Sequence, residues 1–244
     1  MPAVILSDLP PIGLDNGTLS AHSIYRSSDR LDPSVPTNEQ GSGLYLVLEP
    51  GEGSPERLAA ALSAAPAAAV LLRLRPGTPP DIDGLRTLIG IAQARGAAAL
   101  IEGDARLART LRADGVHLPA SADMEKQYAE ARDILGQRFI VGIDAGSSRH
   151  AAMALGEAGA DYIGFSPSDA APDGMDALEM IQWWAEIFEI PSVALGVATA
   201  DQAAMARDAG ADFIGLHLRN AHSPADAADL ARAAVELDAV GGRG

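Results

Sequence analysis

Gly159-Ala-Asp-Tyr-Ile-Gly-Phe-Ser-Pro167 places a glycine turn, a short apolar run and a small polar tip in immediate succession. It reads as a buried strand that delivers a loop. The pattern returns as Gly210-Ala-Asp-Phe-Ile-Gly-Leu-His-Leu218 and, more loosely, as Ala113-Asp-Gly-Val-His-Leu-Pro119, each copy preceded by an alanine-rich amphipathic run. A repeated helix, turn and buried strand is the unit of a parallel α/β protein, and such folds bind ligands where their strands end. The tips at His117, Ser166 and His217 are therefore the first places to look for chemistry.

The alternation extends in both directions from this stretch. Hydrophobic period and turn residues predict strands over 44–48, 68–74, 97–101, 115–118, 139–143, 162–165, 192–195 and 213–216. Between and after them fall helices over 54–65, 81–95, 105–112, 123–135, 148–158, 175–188, 199–209 and 224–237. In the first of these Ser54 reads as the cap, with Pro55 in the opening turn. Strict alternation of strand and helix, eight times over, predicts one (β/α)8 TIM barrel spanning 43–244. An open doubly wound sheet fits less well, because no Gly-x-Gly-x-x-Gly turn follows the first strand. Residues 1–42, rich in Pro, Gly, Ser, Asp and Asn without a sustained period, read as an irregular N-terminal arm. Its His22, Arg26 and Arg30 either serve a partner subunit or belong to a loosely packed tail.

Composition bounds the function. The 244 residues are 48% hydrophobic, ample for a large core, and contain no cysteine, which removes disulfides and thiolate metal sites. A net charge of −15 and 4% aromatic residues argue against a nucleic-acid surface, which needs cations and stacking platforms. No apolar run approaches the ~20 residues of a membrane span, and the N-terminus lacks the pattern of a secretory signal. The expectation is a soluble cytoplasmic protein acting on a small molecule, with no nucleic-acid or membrane partner. Trp183-Trp184 reads as packing against the barrel or against another subunit in a homo-oligomer.

Five stretches, taken in order, carry a resemblance. They are Val70-Leu-Leu-Arg-Leu-Arg75, Leu100-Ile-Glu-Gly-Asp-Ala-Arg-Leu-Ala108, Asp114-Gly-Val-His-Leu118, the Gly159–Pro167 motif and Ile190-Pro-Ser-Val-Ala-Leu-Gly196. Together they resemble thiamine-phosphate synthase and its thiazole tautomerase relatives over about residues 43–237. The resemblance implies a transferase of thiamine biosynthesis that joins hydroxymethylpyrimidine diphosphate to thiazole phosphate with Mg²⁺ and expels pyrophosphate.

Tip by tip, the resemblance implies a divergent member. The family's Gln-x-Arg-x-Lys is Leu71-Leu72-Arg73-Leu74-Arg75 here, so Arg73 and Arg75 either grip an anion or are ordinary surface arginines. Its Asn-Asp pair is Glu102-Gly103, with Asp104 next, and its second metal aspartate is Ala122. Glu102, Asp104 and Asp123 can rebuild a Mg²⁺ site, or Asp104 and Asp123 are helix caps. The family serine after the fifth strand is Asp144, and its Thr-x-Thr-Lys loop is the lysine-free stretch 168–174. Ser147, Ser148 and Arg149 offer either an alternative cradle or a cap. On the thiazole-phosphate side Gly196 is kept, followed by Val197, and the serine after the eighth strand is Leu218 between His217 and Arg219. The last helix, starting near Ser223, presents amides suited to an anion. Arg73, Arg75, Gly196, His217, Arg219 and Ser223 are thus the candidate phosphate-binding residues, and Glu102 and Asp104 the candidate metal ligands. His117 reads as structural, and the direction of His217 hangs on a one-residue register.

Overall fold

The computed structural model describes residues 43–167 and 176–236. The N-terminal arm, the stretch 168–174 and the end of the last helix fall outside them. In chain order come β1 (Gly43–Leu48), α1 (Ser54–Ala64), β2 (Ala69–Leu72), α2 (Ile82–Ala94), β3 (Ala98–Glu102) and α3 (Ala105–Leu111). Next are β4 (Gly115–Leu118), α4 (Met124–Leu135), β5 (Ile140–Asp144), α5 (Arg149–Glu157), β6 (Tyr162–Phe165) and α6 (Ala177–Ile187). The chain closes with β7 (Ser192–Val197), α7 (Ala200–Asp208), β8 (Phe213–His217), a 3-10 turn (Leu218–Asn220) and α8 (Pro224–Glu236). Every strand is parallel to its neighbours, and β1 pairs with both β2 and β8, so the sheet is a closed barrel. The expected (β/α)8 architecture is the one observed.

Side-chain alternation along the strands makes two cores. Leu44, Leu46, Val70, Leu72, Ala99, Ile101, Val141, Ile143 and Ile163 point outward and pack with the helices. Tyr45, Val47, Ala69, Leu71, Ala98, Leu100, Ile140, Tyr162, Val193 and Leu195 fill the interior. Continuing the inward parity past each strand end puts Arg73 above Leu71, Glu102 above Leu100, Asp144 above Gly142, Ser166 above Gly164 and His217 above Gly215. That parity settles His217, which lies inward at the barrel mouth and is buried.

The repeated Ala-Asp of the motif belongs to the opposite face. Asp114 accepts from the Ala99 amide at 2.8 Å, Asp161 from Val141 at 2.6 Å, and Asp212 from Ser192 at 2.8 Å. In each case a carboxylate just before an even strand satisfies an N–H at the first or second residue of the preceding odd strand. An orphaned amide there would carry a desolvation penalty. Gly159 and Gly210, at φ 89° and 90°, make the reversal from helix to strand that leads each aspartate in.

Most boundaries move by a residue or two from the sequence expectation, and three of the shifts bear on the barrel's rims. Ser54 is the first helical residue, not the cap; Gly53 takes that place at φ 70°, and the Ser54 hydroxyl donates to the Glu49 carbonyl at 3.3 Å. β2 ends at Leu72; the Arg73 amide still donates to the Leu48 carbonyl at 2.9 Å, and the chain then turns into the loop to α2. β7 runs on to Val197 through a register irregularity between Ala194 and Val197, where Gly196 has φ 80°.

The clamp has a measurable consequence. Asp161 also holds Arg132 at 2.7 Å, so Asp161→Ala removes a buried-amide acceptor and an ion pair together. Urea unfolding should show a loss of about 2–3 kcal/mol, with no change in ligand affinity at the far face of the barrel. A loss within experimental error would mean that the aspartate clamp is dispensable.

Candidate active site

Arg73 is the hub of the barrel mouth. Its Nε donates to Glu102 Oε1 at 2.9 Å, and its Nη1 donates to His217 Nε2 at 3.2 Å. Because guanidinium has no acceptor, His217 Nε2 must be the unprotonated nitrogen of a neutral ring. Burial and the cations Arg73 and Arg219 agree, pushing the His217 pKa down to about 4. Burial raises Glu102 above the usual carboxylate range, with Arg73 pulling against it and Glu49 adding to it.

Asp144 ends β5 on the same inward row. It is buried, and its Oδ1 accepts from the Gly146 amide at 2.8 Å. Burial raises its pKa, opposed by hydrogen bonds from Ser166 and Gly146 and by the charge of Arg73. Below this layer His117 Nδ1 lies 2.8 Å from the Tyr162 hydroxyl, which lies 2.8 Å from that of Tyr45. Burial, with Arg73 nearby, pushes His117 down to about 3. The mouth is therefore one committed arginine, two carboxyl groups held at raised pKa and two neutral imidazoles.

The other predicted residues are dispersed. Arg75 is exposed in a crevice of about 280 Å³ near α1 and α2, with Pro50, Ser54 and Thr78, so the Arg73/Arg75 pair is split between mouth and exterior. Ser223 is consumed at the start of α8: its hydroxyl accepts from the Asp226 amide at 3.1 Å, while Asp226 Oδ2 accepts from the amides of Ser223 and His222. That reciprocal cap puts a carboxylate where an incoming anion would need free N–H groups. Arg219 is exposed on the 3-10 turn, near enough to His217 to depress its pKa. Gly196 lines a crevice of about 350 Å³ between α6 and α7, with Pro167, Ile181 and Met205. The polar side chains of that crevice are spent locally, since Asp176 caps α6 and Gln202 accepts from the Ala198 amide. For this reason we place the site in the mouth.

The proposed Mg²⁺ ligands do not fit a hard octahedral ion. Glu102 is paired with Arg73, and Asp104 accepts from the Leu107 amide at 2.8 Å as the cap of α3. Among the described residues no group of three or more His, Asp or Glu side chains is placed to hold a metal. Ser148 likewise caps α5, accepting from Ala151, and Arg149 stacks over Trp183 at 4.7 Å. What residue-by-residue comparison missed is the polar interior: Tyr45, Tyr162 and the Asp144–Ser166 contact. The inward parity of Tyr162-x-Gly164-x-Ser166 was the signal that could have found them.

The two histidines dictate a pH response. Their folded pKa values lie below the ordinary value, so between about pH 6.5 and 3 the unfolded chain binds more protons than the folded one. Their contribution to stability is complete above about pH 6.5 and is lost as pH falls through that window. The raised carboxyls Asp144 and Glu102 act in the opposite sense, since the folded form holds their protons longer. His117→Gln should therefore flatten the fall in melting temperature between pH 6.5 and 4; an unchanged slope would show that His117 ionises freely in the folded protein.

Comparison with known proteins agrees with this architecture. The profile of the family described as thiamine monophosphate synthase matches residues 44–217. The thiamine-phosphate synthase of Erythrobacter litoralis is 37% identical over 182 residues, covering 70% of this chain and 84% of that protein. That of Hyphomonas neptunium is 39% identical over 185 residues, covering 70% and 82%. In three dimensions the thiamine phosphate pyrophosphorylase of Pyrococcus furiosus superposes with a TM-score of 0.65 at 24% identity, covering 79% of this chain and 93% of that one. The match spans β1 to β8, the strands that build the mouth, and the chain belongs to the thiamine monophosphate synthase family.

Proposed function

We propose that this chain serves thiamine biosynthesis by receiving a phosphorylated thiazole or pyrimidine at the C-terminal mouth of its barrel, and that it couples the two slowly. Membership of the family supports the first half. One observation carries the second: the guanidinium of Arg73 is bonded to Glu102 and His217. Coupling requires charge stabilisation on a departing pyrophosphate, and losing one such contact costs on the order of 10²-fold or more in rate. Here the arginine is neutralised by its own carboxylate, and Asp144 adds an acid beside it. A monophosphate, carrying less charge, meets less opposition from Glu102 and Asp144 than a diphosphate does.

A binding role without turnover is the second reading, favoured by the same ion pair. The two are separated by mixing purified protein with both substrates and Mg²⁺ and following thiamine phosphate, alongside calorimetric titration of thiazole phosphate, pyrimidine diphosphate and thiamine phosphate. The expected result is measurable binding of a monophosphate ligand and turnover far below that of an ordinary synthase; full turnover refutes the slow-coupling reading, and failure of all three to bind refutes the assignment to this site. Glu102→Gln keeps the shape of the side chain and releases the charge of Arg73. It should tighten inorganic pyrophosphate about tenfold, the scale of one charge-assisted hydrogen bond.

A further inference from the structure

We propose that Tyr162 is a positioning residue that holds His117 by Nδ1, so that Nε2 is the ring nitrogen His117 offers to the polar edge of a heteroaromatic ligand at the floor of the mouth. The proposal rests on the reading of the mouth as the ligand site and adds to it a recognition element that none of the phosphate-side residues supplies.

The geometry is built for this. His117 follows Gly115 on the inward row of β4 and lies in register with Glu102 on β3 and Gly142 on β5. Its Nδ1 is 2.8 Å from the Tyr162 hydroxyl, and the two rings lie parallel within 9° at 5.7 Å between centroids. The Tyr162 hydroxyl is in turn tied to Tyr45 at 2.8 Å, with the tyrosine rings edge to face. Nε2 of His117 has no hydrogen-bond partner among the described residues.

Two glycines keep this arrangement open. A Cβ on Gly142 would run into the Tyr162 ring, and one on Gly164 would meet Leu195 Cδ1 at 2.7 Å first and then His117 Cε1 at 3.3 Å and the Asp144 Cα at 3.4 Å. Both glycines thus leave inward positions without a side chain beside this ring pair. Burial keeps the imidazole uncharged near neutral pH, so its recognition chemistry is decided by which nitrogen is engaged below. With Nδ1 committed, the tautomer that the Tyr162 hydroxyl holds sets whether Nε2 donates to a ligand ring nitrogen or accepts from a ligand amino group, with Glu102 in register on the neighbouring strand.

The test is an imidazole ¹⁵N–¹H correlation spectrum of the free protein, with the His117 signals assigned by their loss in His117→Gln. Wild type should show one fixed neutral tautomer at pH 7, and Tyr162→Phe an average of two. The same variant should weaken thiamine phosphate roughly tenfold, and thiamine phosphate should shift Nε2 more than Nδ1 in wild type. A Tyr162→Phe spectrum identical to wild type overturns the positioning role. Should that variant not fold, wild type alone decides, because a His117 already exchanging between tautomers refutes the proposal. Ligand that binds without moving Nε2 refutes its recognition role while leaving the mouth as the site; a mouth that binds no thiamine-type ligand removes that role, yet the free-protein spectrum still decides whether Tyr162 sets the ring.

Discussion

The ion pair of Arg73 with Glu102 organises the barrel mouth. The guanidinium is half-buried at the ring of strand ends, and its charge acts on the inward groups nearby. It opposes ionisation of His117 and His217, and it favours the charged forms of Tyr45, Glu102 and Asp144. Burial works against charge at all of them and ranks first at each. The balance is a mouth in which the arginine is the fixed charge and the groups around it are held uncharged or pulled upward in pKa, so any anion that enters competes with Glu102 for the same donors.

That concentration of polar groups follows from the parity of the strands. One alternation writes both ends of the barrel: outward residues seal the helices to the sheet, inward residues fill the interior, and the residue two past the last apolar one emerges at the top. Arg73, Glu102, Asp144, Ser166 and His217 are all products of that rule. The bottom is built from the aspartates of the repeated motif, which bond amides at the starts of the neighbouring strands. A single sequence repeat therefore contains a stabilising half, Gly-Ala-Asp, and a functional half, the tip after the strand.

The fold was legible because the helix and strand periods differ and alternate without interruption; boundaries moved by a residue or two where glycine, as at Gly53 and Gly196, took a conformation that other residues avoid. The site was legible in type more than in placement. The candidate residues Arg73 and His217 meet at the mouth, while Arg75 lies outside it because the chain turns away from the sheet after Arg73. Asp104 and Ser223, read as a replacement metal ligand and an anion-binding helix start, serve their own helices, a use that short polar side chains at helix starts have in any fold. The pairing of Arg73 with Glu102 joins residues 29 apart in sequence and depends on barrel closure, so no local pattern announces it.

The interior shows why such a site is hard to change piecemeal. In most of the barrel the inward layer is aliphatic and a change of size is met by its neighbours. Around Tyr162 the layer is different: the Tyr162 ring occupies the space left by Gly142, Leu195 and the His117 ring border Gly164, and hydrogen bonds join His117, Tyr162 and Tyr45. A methyl added at Gly142 meets an aromatic ring that cannot swing away without breaking both hydrogen bonds, so strain and unsatisfied polarity arrive together. The polar floor and the arginine above it are therefore constrained as one unit: the floor engages Nδ1 of the imidazole, and burial, with Arg73 second to it, keeps that imidazole uncharged.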